Sequence, residues 1–177
     1  RAARILDKKA HIVLGDINGS IRQWVNLFLN DKEYPEDMFV THEQARKIVD
    51  HDTVVVVVDT NRPSMTECSE ILNQTRTIVV LDHHRQSSEV IKNAVLSYIE
   101  PYASSACEMI AEILQYFADD IRLKGKEADC IYAGIIIDTN NFMAKTGVRT
   151  FEAAAFLRRC GADVTRVRKM FRNDVSS

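Results

Sequence analysis

The sequence predicts an α/β fold, a mostly parallel sheet flanked by helices. The first observation is the run from Thr53 to Asp59, whose valines are β-branched throughout and too few for a stable helix. A second apolar run, from Thr77 to Asp82, has the same character and also ends in an aspartate. Strand-like and helix-like segments alternate along the chain, which is typical of parallel strands joined by helical crossovers. We expect the valine strand to be buried on both faces of the sheet.

Each element before residue 102 has a local signal. We expect, in order, the end of a helix (2–6), a strand (10–14), a turn (15–19), a helix capped by Ser20, a polar loop (30–35), and a short helix opened by the capping box Thr41-His42-Glu43-Gln44. After the valine strand we expect a turn and helix over 63–72. A third strand over 95–99 follows the second and ends before Pro101.

The chain after residue 102 is predicted to be helical. Ser104 or Ser105 opens a helix whose apolar residues recur at helical spacing. Three more helices are predicted over 127–137, 150–159 and 164–171, the second of them stopped by Cys160-Gly161.

Composition limits the class of protein. The 177 residues carry 23 basic and 25 acidic side chains, a net charge of −2, which fits a small substrate better than long nucleic acid. The longest apolar run is far too short to cross a bilayer, so we expect no membrane contact by this segment. The 4 cysteines include no C-x-x-C pair, so we expect free thiols in a reducing compartment.

Three aspartates and two histidines follow apolar segments. Asp59 and Asp82 end the two apolar strands, His83 and His84 follow Asp82 directly, and Asp138 ends the run Gly134-Ile-Ile-Ile. Functional groups collect at the carboxyl ends of parallel strands, and a divalent cation would partner these groups together. A lone aspartate after a strand is equally explained as a turn residue, and His11, His42 and His51 read as ordinary surface or core residues.

Mixed carboxylate and imidazole ligation suits Mn²⁺, Fe²⁺ or Zn²⁺ better than Ca²⁺. Two such ions about 3.5–4 Å apart can clamp a phosphoryl group and turn a bridging water into hydroxide. This chemistry requires a carboxylate that bridges both ions.

These residues resemble the motifs of the DHH phosphoesterases. Asp82-His83-His84 matches the signature, Val58-Asp59-Thr60 the second motif, and the segment ending in Asp138-Thr139 the fourth. Longer stretches are similar to the cyclic di-AMP phosphodiesterases of that family: Asp82-His83-His84-Arg85, Tyr98-Ile99-Glu100-Pro101-Tyr102-Ala103-Ser104-Ser105, Asp138-Thr139-Asn140-Asn141-Phe142 and Thr146-Gly147-Val148-Arg149-Thr150-Phe151.

The resemblance implies a phosphodiesterase with two Mn²⁺ ions that opens cyclic di-AMP to pApA without a covalent intermediate. Asp59 would bridge both ions, and His83 and Asp138 would complete one metal site. Asp82 would orient a ligand, and His84 would lie near the scissile phosphate and donate to it. Arg85 and Arg149 are candidates to neutralise phosphate charge, or are solvated surface charges.

The family's first motif, G-H-x-x-P-D-x-D on the first strand, has no match here. We therefore expect residues 1–172 to be a partial DHH domain that lacks this strand. Such a domain would bind metal weakly and have little or no activity. Residues 173–177 would begin a linker to a C-terminal substrate domain. The resemblance further implies a cytoplasmic domain of a protein anchored in the bacterial membrane, and it leaves a homodimer open.

Two other hypotheses about the function remain open. One is a different activity of the same superfamily: a nanoRNase with pAp phosphatase activity, or a manganese pyrophosphatase. The other is a non-catalytic nucleotide-binding fragment with a vestigial metal site. The Glu100-Pro101-Tyr102-Ala103-Ser104-Ser105 stretch favours the cyclic di-AMP phosphodiesterase.

Overall fold

The computed structural model describes residues 1–118 and 121–174. The chain divides into two compact units. We call His11–Asp16 with Asp37–Tyr102 the sheet unit, because it contains the strands. We call Arg1–Ala10, Ile17–Glu36 and the residues from Ala103 onward the helical unit.

The strands are β1 (Ile12–Val13), β2 (Phe39–Val40), β3 (Val54–Val58), β4 (Thr77–Asp82) and β5 (Leu96–Ile99). The helices are α1 (Ala2–Ile5), α2 (Gly19–Leu29), α3 (His42–Ile48), α4 (Ala106–Phe117), α5 (Gly125–Asp138), α6 (Val148–Arg159) and α7 (Val164–Asp174). Two 3₁₀ helices, Pro63–Met65 and Ser69–Asn73, stand where the sequence predicts a turn and a helix.

All strand pairs in the sheet unit are parallel, which confirms the predicted α/β class. β1 pairs with β2, and β3, β4 and β5 form a second sheet in that order. The strand β2 was not predicted, since two residues are too few to show a periodicity. One face of the larger sheet packs Val55, Val57, Ile78 and Val80 into the core of the unit.

The prediction that the valine strand is buried on both faces is wrong. Val54, Val56 and Val58 are 56%, 54% and 49% exposed, whereas Val55 and Val57 are buried. Successive side chains of a strand point to opposite faces, and only one of the two faces of β3 is packed in the described part of the chain. The apolar sequence indicates the strand correctly but does not tell which face is packed.

Helix ends follow local capping chemistry. The predicted capping box at Thr41 opens α3, with Thr41 and Gln44 bonding each other's backbone amides. α2 begins earlier than predicted: its cap is the side chain of Asn18, not Ser20, and accepts from the amide of Ile21. Gly161, at φ +99°, follows α6, a conformation that favours glycine.

The helical unit has a core of small and branched residues contributed mainly by α4, α5, α6 and α7. Helices α4 and α5 approach so closely at Gly134 that an added Cβ would lie 2.2 Å from Sγ of Cys107. The four cysteines are free, as expected. Burial raises the pKa of the Cys130 thiol to about 12, so this thiol stays protonated at neutral pH.

Two buried carboxylates connect helices within the helical unit. Oε2 of Glu108 accepts hydrogen bonds from the hydroxyls of Ser104 and Thr150, the latter at 2.5 Å. Asp129 on α5 accepts from the amide of Asp163 at 2.7 Å and from the guanidinium of Arg166. Both groups are almost inaccessible to solvent, so these bonds replace the water they lose on folding.

The helix α7 extends to Asp174, and the rest of the predicted linker, residues 175–177, lies outside the described residues. Over the described ranges, none of the helices is both long and apolar enough to cross a bilayer.

Candidate metal centre

The parallel register of β3 and β4 brings the predicted site residues of the sheet unit to one edge. Val58 pairs with Leu81, so the residues that follow these two leave the sheet side by side. The amide of Asp59 donates to the carbonyl of Leu81 at 3.0 Å. Asp59 adopts φ 66°, a left-handed conformation that aspartate tolerates better than most residues.

Asp59 and His83 face each other at this edge. Nε2 of His83 lies 3.3 Å from Oδ1 of Asp59. The imidazole is 8% exposed and the carboxylate 58% exposed, so one partner is fixed by its surroundings while the other opens to solvent. Asp59, His83 and His84 each offer one potential ligand atom, and these atoms lie within 4.8 Å of one another.

Asp82 is buried beneath this cluster. Its side chain is inaccessible to solvent, and its Oδ1 accepts from Nδ1 of His84 at 2.7 Å and from the amide of His84 at 3.2 Å. A carboxylate accepts only, so this contact places the proton of a neutral His84 ring on Nδ1. Nε2 is then left as the acceptor, on a ring that is 57% exposed.

Asn61 is a further polar residue of this site that was not predicted from the sequence. This residue is 3% exposed, and its Nδ2 donates to Oδ2 of Asp82 at 2.5 Å. The one available signal was its place in Asp59-Thr60-Asn61, directly behind a strand that ends in a predicted ligand. A polar residue there reads equally as a turn residue.

Asp138 is the last residue of α5 and is exposed in the helical unit. The chain continues through three left-handed residues, Asn140, Asn141 and Phe142. This turn is held by Thr139, whose hydroxyl donates to the carbonyl of Ile135 at 2.6 Å and accepts from the amide of Phe142 at 2.9 Å. That Asp138 belongs to one site with Asp59 and His83 stays a prediction.

The two predicted arginines differ in their surroundings. Arg85 is exposed in the segment after His84. Arg149 makes a bidentate ion pair with Glu112, with N–O distances of 2.8 and 2.7 Å. This pair connects α6 to α4, and a role of either arginine toward phosphate stays a prediction.

The donor set fits a divalent transition metal. One carboxylate oxygen and two imidazole nitrogens within 4.8 Å form a mixed set of oxygen and nitrogen donors. Three protein donors also leave coordination positions for water or substrate. The proximity of Asp59 to His83 is accounted for if both approach one cation.

The chain resembles known proteins over its whole length. It is 38% identical over 181 residues to the cyclic-di-AMP phosphodiesterase GdpP of Bacillus subtilis and, to the same extent, to the cyclic-di-AMP phosphodiesterase PdeA of Listeria monocytogenes. Both comparisons cover 100% of this chain but 27% of the relative, so the chain spans about a quarter of these proteins.

Structural comparison agrees on the fold. An exopolyphosphatase-related protein from Bacteroides fragilis superimposes with a TM-score of 0.79 over 97% of this chain and 49% of its own, at 17% identity. The family model described as "DHH family, N-terminal domain" matches residues 7–135. The chain therefore belongs to the DHH family of phosphoesterases.

Proposed function

We propose that the protein containing this sequence is a metal-dependent phosphodiesterase that hydrolyses cyclic di-AMP to pApA. The observation that carries the proposal is the cluster of Asp59, His83 and His84 at the carboxyl edge of β3 and β4, supported from below by Asp82. Such a cluster suits the metal-assisted hydrolysis of a phosphate ester. The substrate is proposed because the relatives similar to the whole chain bear the name cyclic-di-AMP phosphodiesterase.

Asp59 and His83 are the proposed ligands of the metal, with Asp138 as a third ligand, and Mn²⁺ is the proposed ion. Two bound ions would supply a hydroxide at neutral pH and would neutralise charge on the phosphate. The exposure of Asp59 is consistent with its proposed bridging position, because 58% of its side chain is open to solvent.

His84 is the proposed catalytic group of this chain. Its Nδ1 is held by Asp82, so its ring has a fixed orientation and its Nε2 faces away from the carboxylate. A proton carried on Nε2 could be donated to the scissile phosphate, which would leave the ring neutral with its remaining proton on Nδ1. Asp82 orients this ring and does not need to contact the substrate. Arg85 and Arg149 are proposed as phosphate partners.

A substrate panel tests the proposal. Mn²⁺-dependent hydrolysis is measured for this chain and for the full-length gene product, with cyclic di-AMP, pAp, short oligoribonucleotides and pyrophosphate as substrates. The expected result is pApA formed from cyclic di-AMP by the full-length protein and abolished by EDTA. Preferential turnover of pAp or pyrophosphate would replace the proposal with a related activity. Binding of cyclic di-AMP without cleavage would favour a regulatory role.

We also propose that this chain belongs to a cytoplasmic domain of a protein anchored in the bacterial membrane, that it acts on a small cyclic dinucleotide, and that it forms a homodimer. The names of GdpP and PdeA support the cyclic dinucleotide, whereas the anchoring and the dimer are implied by the family resemblance of the motifs. Membrane fractionation of cells that express the tagged full-length protein tests the anchoring. Sedimentation of this chain tests the dimer.

A further inference from the structure

We propose that Asn61 is a positioning residue that fixes the Asp82–His84 pair. Its buried amide donates to Oδ2 of Asp82 at 2.5 Å and also lies 3.4 Å from the carbonyl oxygen of His84. One side chain therefore contacts both the carboxylate that holds the imidazole and the backbone that carries it. The backbone of Asn61 is itself held, since its carbonyl accepts from the amide of Ile91 at 3.0 Å.

The two oxygens of Asp82 have different partners. His84 bonds to Oδ1 through its ring and its amide, and Asn61 bonds to Oδ2. A buried carboxylate oxygen requires a donor, and without Asn61 the hydrogen bonds to the Asp82 carboxylate from the described residues would all reach Oδ1. The carboxylate could then rotate toward other donors and release the imidazole. The amide of Asn61 thus fixes the plane of Asp82.

The orientation of the Asn61 amide is set by the hydrogen bonds that its Nδ2 donates. Its Oδ1 is buried, and it has no hydrogen-bond partner among the described residues. Flipping the amide would place this oxygen against Oδ2 of Asp82, where two acceptors would repel each other. The molecule therefore leaves one acceptor of Asn61 unsatisfied in order to keep its N–H groups on Asp82 and on the carbonyl of His84.

The consequence is a chain of three side chains, Asn61 to Asp82 to His84, that ends at the exposed edge of the sheet. Asp82 sets which nitrogen of His84 carries the proton, and Asn61 sets the position of Asp82. The effect on turnover rests on the proposed function, because it requires His84 to act on the substrate. The effect on the His84 ring does not depend on that function.

Three variants test this inference. Asn61→Leu is similar in size and removes the donor. Asn61→His restores one, because Nδ1 of histidine lies at the same position from Cβ as Nδ2 of asparagine, and a cavity of about 180 Å³ beside residue 61 gives room for the ring. Asn93→Leu is the matched control, since it removes a side-chain amide whose hydrogen bond, within residues 1–118 and 121–174, goes to the carbonyl of Leu72 at 3.0 Å.

The first readout is the tautomer of His84, measured by long-range ¹H–¹⁵N spectra of the ¹⁵N-labelled chain without metal at mildly alkaline pH. We expect the Nδ1-protonated form in the unmodified chain, in Asn61→His and in Asn93→Leu. In Asn61→Leu we expect the Nε2-protonated form that free histidine prefers. An unchanged His84 tautomer in Asn61→Leu overturns the inference.

The second readout is turnover of cyclic di-AMP by the full-length protein with Mn²⁺. We expect Asn61→Leu to lower kcat by about tenfold or more with little change in KM, and Asn61→His to recover most of it. Unchanged kcat in Asn61→Leu overturns the inference. If Asn61→Leu does not fold, the tautomer of Asn61→His decides: a free-histidine tautomer there overturns the inference. If the unmodified protein cleaves nothing but the tautomer changes in Asn61→Leu, the proposed function fails and the positioning role stands.

Discussion

Nε2 of His83 lies 3.3 Å from Oδ1 of Asp59, although the two residues follow different strands. The contact results from the register of β3 and β4, because the pairing of Val58 with Leu81 makes both strands end at the same edge. Asp59 then turns into a left-handed conformation, while His83 remains largely buried. Two residues that the sequence separates are thereby brought together as potential ligands of one cation.

The Asp59–His83 contact predicts the effect of removing the carboxylate charge. Asp59→Asn should weaken Mn²⁺ binding at least about tenfold, since the variant keeps the shape of the side chain but loses its anionic oxygen. Isothermal titration calorimetry of this chain with MnCl₂ checks the affinity. Asp52→Asn is the control, because Asp52 is an exposed acid in the same unit and should leave binding unchanged. Equal Mn²⁺ affinity of Asp59→Asn and the unmodified chain would rule out Asp59 as a ligand.

Asp138→Ala tests whether the end of α5 contributes to the metal site. In the full-length protein we expect lower Mn²⁺ affinity and lower phosphodiesterase activity, because the variant removes a proposed ligand. Calorimetry measures the first and product chromatography the second. Glu152→Ala removes another exposed acid of the helical unit and should change neither quantity. Unchanged metal affinity in Asp138→Ala would defeat the assignment.

The hydrogen bond from Thr150 to the buried Glu108 predicts a contribution of Thr150 to the stability of the helical unit. Thr150→Val keeps the volume but removes the hydroxyl that donates to Glu108 and accepts from the amide of Gly147 at 3.1 Å. We expect the free energy of unfolding to fall by about 1–3 kcal/mol, because a buried carboxylate loses a donor. Urea denaturation followed by circular dichroism measures it. Thr146→Val, at an exposed hydroxyl, should change it by less than about 0.5 kcal/mol, and equal effects of the two variants would contradict the prediction.

The close approach of α4 and α5 predicts a steric effect at Gly134. Gly134→Ala should destabilise the chain by about 1–3 kcal/mol despite the better helix propensity of alanine, because the new Cβ would overlap Sγ of Cys107. In a Cys107→Ala background the same change should cost at least about 1 kcal/mol less. Thermal or urea unfolding is measured for the unmodified chain, the two single variants and the double variant, which together form a double-mutant cycle. Strict additivity of the two substitutions would show that this contact is absent in solution.

The fold class and most of the candidate site could be predicted from the sequence. Two apolar, largely β-branched runs were sufficient to predict β3 and β4, because such residues favour strands and the runs are too short for a stable helix. Asp59, Asp82, His83 and His84 could be singled out as candidates because each ends one of these strands or lies within two residues of its end. The capping box at Thr41 was equally predictable, since its hydrogen bonds are local.

The contacts between these groups depend on tertiary structure and could not be predicted. The strand register sets the pairing of Asp59 with His83, and the loop after β3 directs Asn61 into the protein against Asp82. Which face of the valine strand is exposed could not be predicted either, because Val54 and Val55 are chemically the same and only their neighbours in the fold differ. Local patterns specify elements, whereas burial and side-chain contacts depend on residues far apart in the chain.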